Sequence, residues 1–352
     1  MKYKLALLST FLYTLVQAQN SEMRRNYVCY AIDEAIKLDG HLNENSWESV
    51  PWSEPFLDIE GPHQPHPVHE TRMKMLWDEK YLYIGVQLEE PDIWATYRER
   101  ESVIFHENDI EVFLDPDGDS HNYYELEVNA LGTEWDLMLT KPYRNGGRAI
   151  NGWNINGFKK GIYLEGTINN GDDKDQYWSI EMAIPWEALS QSGPTFNAPK
   201  NGEQWRINFS RVQWQTETAD QGYRKKINAE TGKSFPENNW VWSPMGLIDM
   251  HLPYRWGYLQ FTNIKAGEGN VHFTVDPDES VKNALRDLYD LQQQYFKKHE
   301  KYALTLEELK PEQSELEQVE FEISATRFKI SASSKKDETR WYITEDSRIW
   351  KQ

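Results

Sequence analysis

Cysteine is nearly missing from this chain: Cys29 is the single thiol among 352 residues. One thiol excludes an internal disulfide framework and a cysteine-rich zinc site. Basic charge is also scarce. Lys and Arg number 38 against 57 Asp and Glu, a formal charge of −19. That balance argues against nucleic-acid partners, which need a basic face for phosphate, and against anionic membrane surfaces. Beyond the N-terminal stretch, no apolar run approaches the length needed to cross a bilayer, so no membrane insertion is expected. G-x-S-x-G, H-E-x-x-H, P-loop and G-x-G-x-x-G patterns are missing from the contexts in which they carry chemistry.

What the chain has is aromatic mass. It holds 15 Trp, 19 Tyr and 13 Phe, 13% of the residues, and 39% of its residues are hydrophobic. That composition excludes a disordered polyampholyte, and the length allows one large or two ordinary domains with ample core. Tryptophan can fill such a core, but it is also the side chain that stacks on flat apolar ligand faces.

The first 18 residues read as a secretory signal. Lys2 and Lys4 form a basic start, Leu5 to Val16 an apolar stretch too short to span a membrane, and Val16-Gln17-Ala18 a small-residue cleavage site. A secreted or periplasmic protein is expected.

Residues 27–265 read as strands. Met73, Met75 and Trp77 alternate, then Leu82, Ile84, Val86 and Leu88 after a short turn. Ile110, Val112 and Leu114 follow, then Tyr124, Leu126 and Val128. Later sets are Trp135, Leu137 and Leu139; Ile180, Met182 and Ile184; Trp205, Ile207 and Phe209. Repeated Asn-Gly pairs supply hairpin turns, and the sum suggests an antiparallel sandwich. The period changes near Asp276. Asp276-Pro277-Asp278-Glu279 is a helix start with Asp276 as cap, and Val281, Leu285, Leu288 and Tyr295 recur at helical spacing. A second capping box opens at Thr305 and Pro311 closes its helix. Strand-like runs over 321–331 and 341–343 complete a small α+β module over 276–352.

Three constellations could carry chemistry. With Ile110, Val112 and Leu114 facing the core, Glu111, Phe113 and Asp115 share the opposite face. On the next strand Glu125, Glu127 and Asn129 share theirs. An antiparallel pairing would gather these carboxylates and the amide on one face, suited to sugar hydroxyls; an ordinary solvated face has the same pattern. Asp115, Asp117 and Asp119 alternate in a turn that could cluster oxygens around calcium. It is no EF-hand, since Gly118 falls at loop position 4 and Pro116 at position 2. Finally, Trp240 and Trp242 lie at strand spacing beside Pro244. Their rings would share a face, stacking on a pyranose or pairing in the core. No residues are assigned to catalysis.

The run Ile36-Lys37-Leu38-Asp39-Gly40-His41-Leu42-Asn43-Glu44-Asn45-Ser46-Trp47 resembles the opening of family 9 carbohydrate-binding modules. The similarity continues through Leu76 to Ile84, Asn108 to Asp115, Val128 to Gly132, Trp178 to Trp186, and Trp256 to Phe261. It implies an antiparallel β-sandwich, making the chain mainly β with a small α+β C-terminal module. It also implies sugar binding between two aromatic rings, with structural calcium in the fold. Carried over by position, Glu111 is the ligand-binding acid, Asn129 a binding amide, and Phe105 one stacking ring. Trp242, with Trp240 close behind, is the second. Glu127 stands where the family is expected to have a basic residue. More weakly, the segment from Leu291 to Leu309 and the ending Trp341 to Trp350 resemble pilin-like domains.

The expectation is a secreted carbohydrate-binding protein for a plant or algal polysaccharide. The alternative is a glycoside hydrolase or polysaccharide lyase on the same scaffold. Trp77, Trp135 and Trp205 are expected in the core.

Overall fold

The computed structural model describes residues 24–191, 197–219, 222–311 and 316–352; the expected signal over 1–18 lies outside them. The chain divides into two units. The first takes the residues up to Asp117, Tyr123–Met138 and Ala149–Phe273. The second takes Gly118–Asn122, Leu139–Arg148 and Thr274–Gln352.

The first unit is built on strands. In chain order they are β1 (Asn26–Ala31), β2 (Leu57–Asp58), β3 (Thr71–Trp77), β4 (Tyr81–Glu89), β5 (Asp109–Asp115), β6 (Tyr123–Asn129), β7 (Glu134–Leu139) and β8 (Ala149–Ile150). There follow β9 (Lys159–Glu165), β10 (Tyr177–Pro185), β11 (Gln204–Gln213), β12 (Thr216–Ala219), β13 (Gly222–Lys225), β14 (Asn238–Val241) and β15 (Gly257–Lys265). A helical turn, α1 (Asn45–Glu48), precedes β2. The ladder runs β8-β7-β6-β5-β11-β15-β1-β3-β4-β10-β9, with β14 branching from β11 and β2 from β14. Its two halves share one core. Met73, Met75, Ile84, Val86, Ile180 and Met182 pack with Ile110, Val112, Leu126, Ile207 and Phe209. The expected β-sandwich is thus the observed one. It departs from all-antiparallel pairing at β1, which runs parallel to both β15 and β3.

Local chemistry explains the registers. At the turn between β3 and β4, the backbone N–H groups of Lys80 and Tyr81 both donate to Asp78 Oδ1 at 2.7 Å. An Asp side chain that mimics a backbone acceptor closes a tight turn, and this one sets Met75 opposite Ile84. Two distant motifs meet at Glu181 on β10. Its Oε2 accepts from the amides of Asp39 and Gly40 at 2.9 and 2.7 Å, and its Oε1 from the Trp47 indole at 2.8 Å. Gly40 holds φ +89°, and a Cβ there would stand 2.3 Å from the Tyr163 nitrogen, so the turn needs glycine. Trp77 and Trp205 are core residues, joined edge to face with Trp186 and Phe261.

The second unit holds the helices α2 (Glu279–His299) and α3 (Leu306–Leu309). Its strands are β16 (Glu320–Ile323), β17 (Phe328–Ser333), β18 (Arg340–Thr344) and β19 (Ile349–Lys351), an antiparallel sheet in that order. Val281, Leu285, Leu288 and Tyr289 of α2 pack on Phe328, Ile330 and Ile343. The run over 321–331 is a hairpin and not one strand, its turn tied by Ser324 and Arg327. Helix α2 begins at Glu279, later than an Asp276 cap would place it. The Asp276 carboxylate is taken by the Asp278 amide and Lys282 Nζ, while Asp278 receives Trp341, Lys351 and Ser334. Among the described residues no helix is long and apolar enough to cross a membrane.

Candidate functional site

Strands β5 and β6 pair in the register the alternation predicts. Glu111 lies opposite Glu127, Asp109 opposite Asn129, and Phe113 opposite Glu125. On the other side of β5, Ser210 of β11 faces Glu111. The apolar sets of these strands face the sandwich core, so the carboxylates gather on the opposite face as expected. That face is not solvated. Every residue of β5 and β6 is buried.

The cover is the segment leading into β5. Glu107 accepts from the backbone N–H and hydroxyl of Thr96, both at 2.7 Å, and from the Asn129 amide at 2.7 Å. Asn129 also donates to the Tyr97 carbonyl at 2.9 Å, and its Oδ1 accepts from the amides of Leu131 and Thr133. All four bonding positions of this side chain are used and none of it is exposed. Asn129 therefore braces the cover in place of offering the expected amide to a sugar. The Phe105 amide donates to Glu127 Oε2 at 2.9 Å, which seats the 3₁₀ turn of residues 104–106 over the carboxylates.

Burial dominates the electrostatics. It pushes Glu111 up to about 7, with the Glu237 charge adding to the rise and the Ser210 hydroxyl opposing it. Burial and then the charge of Glu111 raise Asp109 and Glu125 well above the usual carboxylate range. Glu127 is raised by burial and by Asp109, Glu111 and Glu125, in that order. A carboxylate out of water and beside its own kind disfavours its charged form twice over.

Around the rim stand half-buried aromatic rings. Phe105 stacks on Trp135 with centroids 6.3 Å apart and planes 25° from parallel. Trp214 donates its indole N–H to the Phe105 carbonyl at 2.9 Å, and Lys225 Nζ lies 3.1 Å over the Trp214 ring. The expected second stacking ring is elsewhere. Trp240 and Trp242 do share a face, but it is the core face, because β14 pairs Trp240 with Arg211 and Val241 with Ser210. Trp242 is completely buried, edge to face with Phe209, and closed off by the Gly257 backbone; Trp240 is 4% exposed. Neither can stack on a sugar in this conformation. Trp135, expected in the core, is the ring at the surface.

Strand parity could have found Trp214. With Trp205, Ile207 and Phe209 facing inward, positions 208, 210, 212 and 214 point to the carboxylate face. Trp135 gave no such signal, since its parity matches the buried Leu137. Asp115 ends β5 fully buried and Asp117 is exposed in the turn that follows. Asp119 belongs to the second unit, where its carboxylate accepts from Arg348 at 2.9 Å.

A family described as carbohydrate family 9 binding domain-like matches residues 38–250. The chain belongs to this family. Among curated proteins, this family 9-like chain is 29% identical over 143 residues to endo-1,4-beta-xylanase A of Thermoanaerobacterium saccharolyticum, a match covering 38% of the chain. It is 30% identical over 118 residues, 33% of the chain, to exoglucanase XynX of Acetivibrio thermocellus. These matches span only 10% and 9% of the two relatives. A family 9 module from Caldicellulosiruptor kristjanssonii, solved with cellotriose, is 15% identical. That comparison covers 72% of this chain and 100% of the other, with a TM-score of 0.43.

Proposed function

We propose that this family 9-like chain binds a β-linked plant or algal polysaccharide through the Phe105 and Trp135 rings, without cleaving it. The observation that carries the reading is this pair, stacked and half-buried beside the Glu111 carboxylate face. The CH groups on one side of a pyranose are apolar, and an aromatic platform takes them out of water. Glu111 and Glu125 keep 6% exposure each, against 1% for Asp109 and Glu127, so they are the acids that can reach a hydroxyl at the rim. The xylanase and exoglucanase relatives support xylan- and glucan-type ligands. Secretion rests on the N-terminal signal pattern. The experiment is titration with xylo- and cello-oligosaccharides, comparing the unmodified protein with Phe105→Ala and Trp135→Ala.

A second reading is hydrolysis centred on Glu111. It draws on a carboxyl raised to about 7 with further carboxyls beside it, the arrangement a general acid requires. New reducing ends from a polysaccharide panel, lost in Glu111→Gln, would establish it.

A further inference from the structure

We infer that Asp109, Glu111 and Glu127 form a binding site for one hard divalent cation, calcium in the first instance. One carboxylate oxygen from each lies within 4.8 Å of the other two. Calcium holds oxygens at about 2.4 Å, so two oxygens on one ion can stand no farther apart than about 4.8 Å, and the trio meets that limit. An all-carboxylate donor set selects a hard ion over zinc or copper.

Proximity of acids alone would prove little, but Asp109 adds an independent observation. It is 1% exposed, and neither of its carboxylate oxygens has a hydrogen-bond partner. The Val212 backbone N–H favours its charged form without reaching hydrogen-bond geometry. A buried polar group left unpaired is costly, more so when charged, so natural folds rarely leave one without a partner. Among the described residues, the charged groups that act on the trio are carboxylates: one another, Glu107, Glu125 and Glu237, while Lys225, over the Trp214 ring, acts on Glu107 and Glu237. Elsewhere the same unit compensates buried charge directly. Arg211 donates to Glu90 at 2.8 Å, also to Thr71 and Gln213, and both ionised partners are buried. At the trio a cation would serve as the missing counter-charge. Glu127 Oε2 already accepts the Phe105 amide, so an ion bound there would stiffen the turn that carries Phe105.

The proposal does not depend on sugar recognition, and its test uses none. The purified protein, stripped with a chelator, is titrated with calcium chloride by calorimetry and by thermal melting. The unmodified protein should bind with a saturable rise in melting temperature. Asp109→Asn and Glu127→Gln should each weaken calcium binding by at least tenfold, while Asp117→Asn should leave it intact. If either of the first two fails to fold, the other carries the comparison. No saturable binding by the unmodified protein, or undiminished binding by the folded variants of Asp109 and Glu127, would overturn the proposal. So would a loss confined to Asp117→Asn, which would move the ion to the acidic turn.

Discussion

Glu181 and Trp47, 134 positions apart, are joined by a 2.8 Å hydrogen bond from the indole N–H to the carboxylate. The same carboxylate takes the amides of Asp39 and Gly40, so one buried side chain fastens the N-terminal motif to β10. Glu181→Ala would leave these donors without an acceptor. At about 1–3 kcal/mol for each buried unsatisfied donor, a loss of about 3 kcal/mol or more is expected in urea unfolding. A loss below about 1 kcal/mol would show that the motif is held by other contacts.

Trp242 separates packing from recognition. Truncating a fully buried tryptophan costs about 3–5 kcal/mol through lost contacts and the cavity left behind. Trp242→Ala should therefore shift the denaturation midpoint strongly, and Trp242→Phe less. Any variant that still folds should keep the glycan affinity of the unmodified protein, because the ring does not reach the surface.

Acid should loosen the second unit by a route that Asp278 defines. Burial works to raise this carboxyl, but hydrogen bonds from Trp341, Lys351 and Ser334 outweigh it and bring it down to about 2, from 3.8. A depressed carboxyl stabilises the fold above its unfolded value, and that contribution is lost as pH falls from about 4 toward 2. The shift corresponds to about 2 kcal/mol at neutral pH. Asp278→Asn should lose that amount at pH 7 and show a flatter decline in acid, measured by hydrogen exchange in α2 and β18.

The strands and their faces were legible from alternation alone: the Glu111 to Glu127 pairing follows from Ile110, Val112, Leu126 and Val128 facing inward. The role of each aromatic ring was not. Alternation assigns Trp240 and Trp242 to one face, but which face depends on how β14 pairs with β11, a contact between residues about 30 positions apart. Trp135 shares the parity of a buried leucine, yet it lies second in its strand, near the end, where a ring can turn out toward Phe105. Residue type marks Asn129 as a ligand but does not reveal that the Tyr97 carbonyl, the Glu107 carboxylate and the amides of Leu131 and Thr133 consume all its bonding capacity. The second unit showed its helix clearly. Its inclusion of Gly118–Asn122 and Leu139–Arg148 had no local signal, since it arises from tertiary contact.

Calorimetric titration with xylo- and cello-oligosaccharides, run on the unmodified protein and on Phe105→Ala, tests the account most directly. Saturable binding is predicted, weakened at least tenfold in Phe105→Ala, about 1.4 kcal/mol, with the melting temperature little changed. No binding across the panel, or equal affinity in the two proteins, would contradict it.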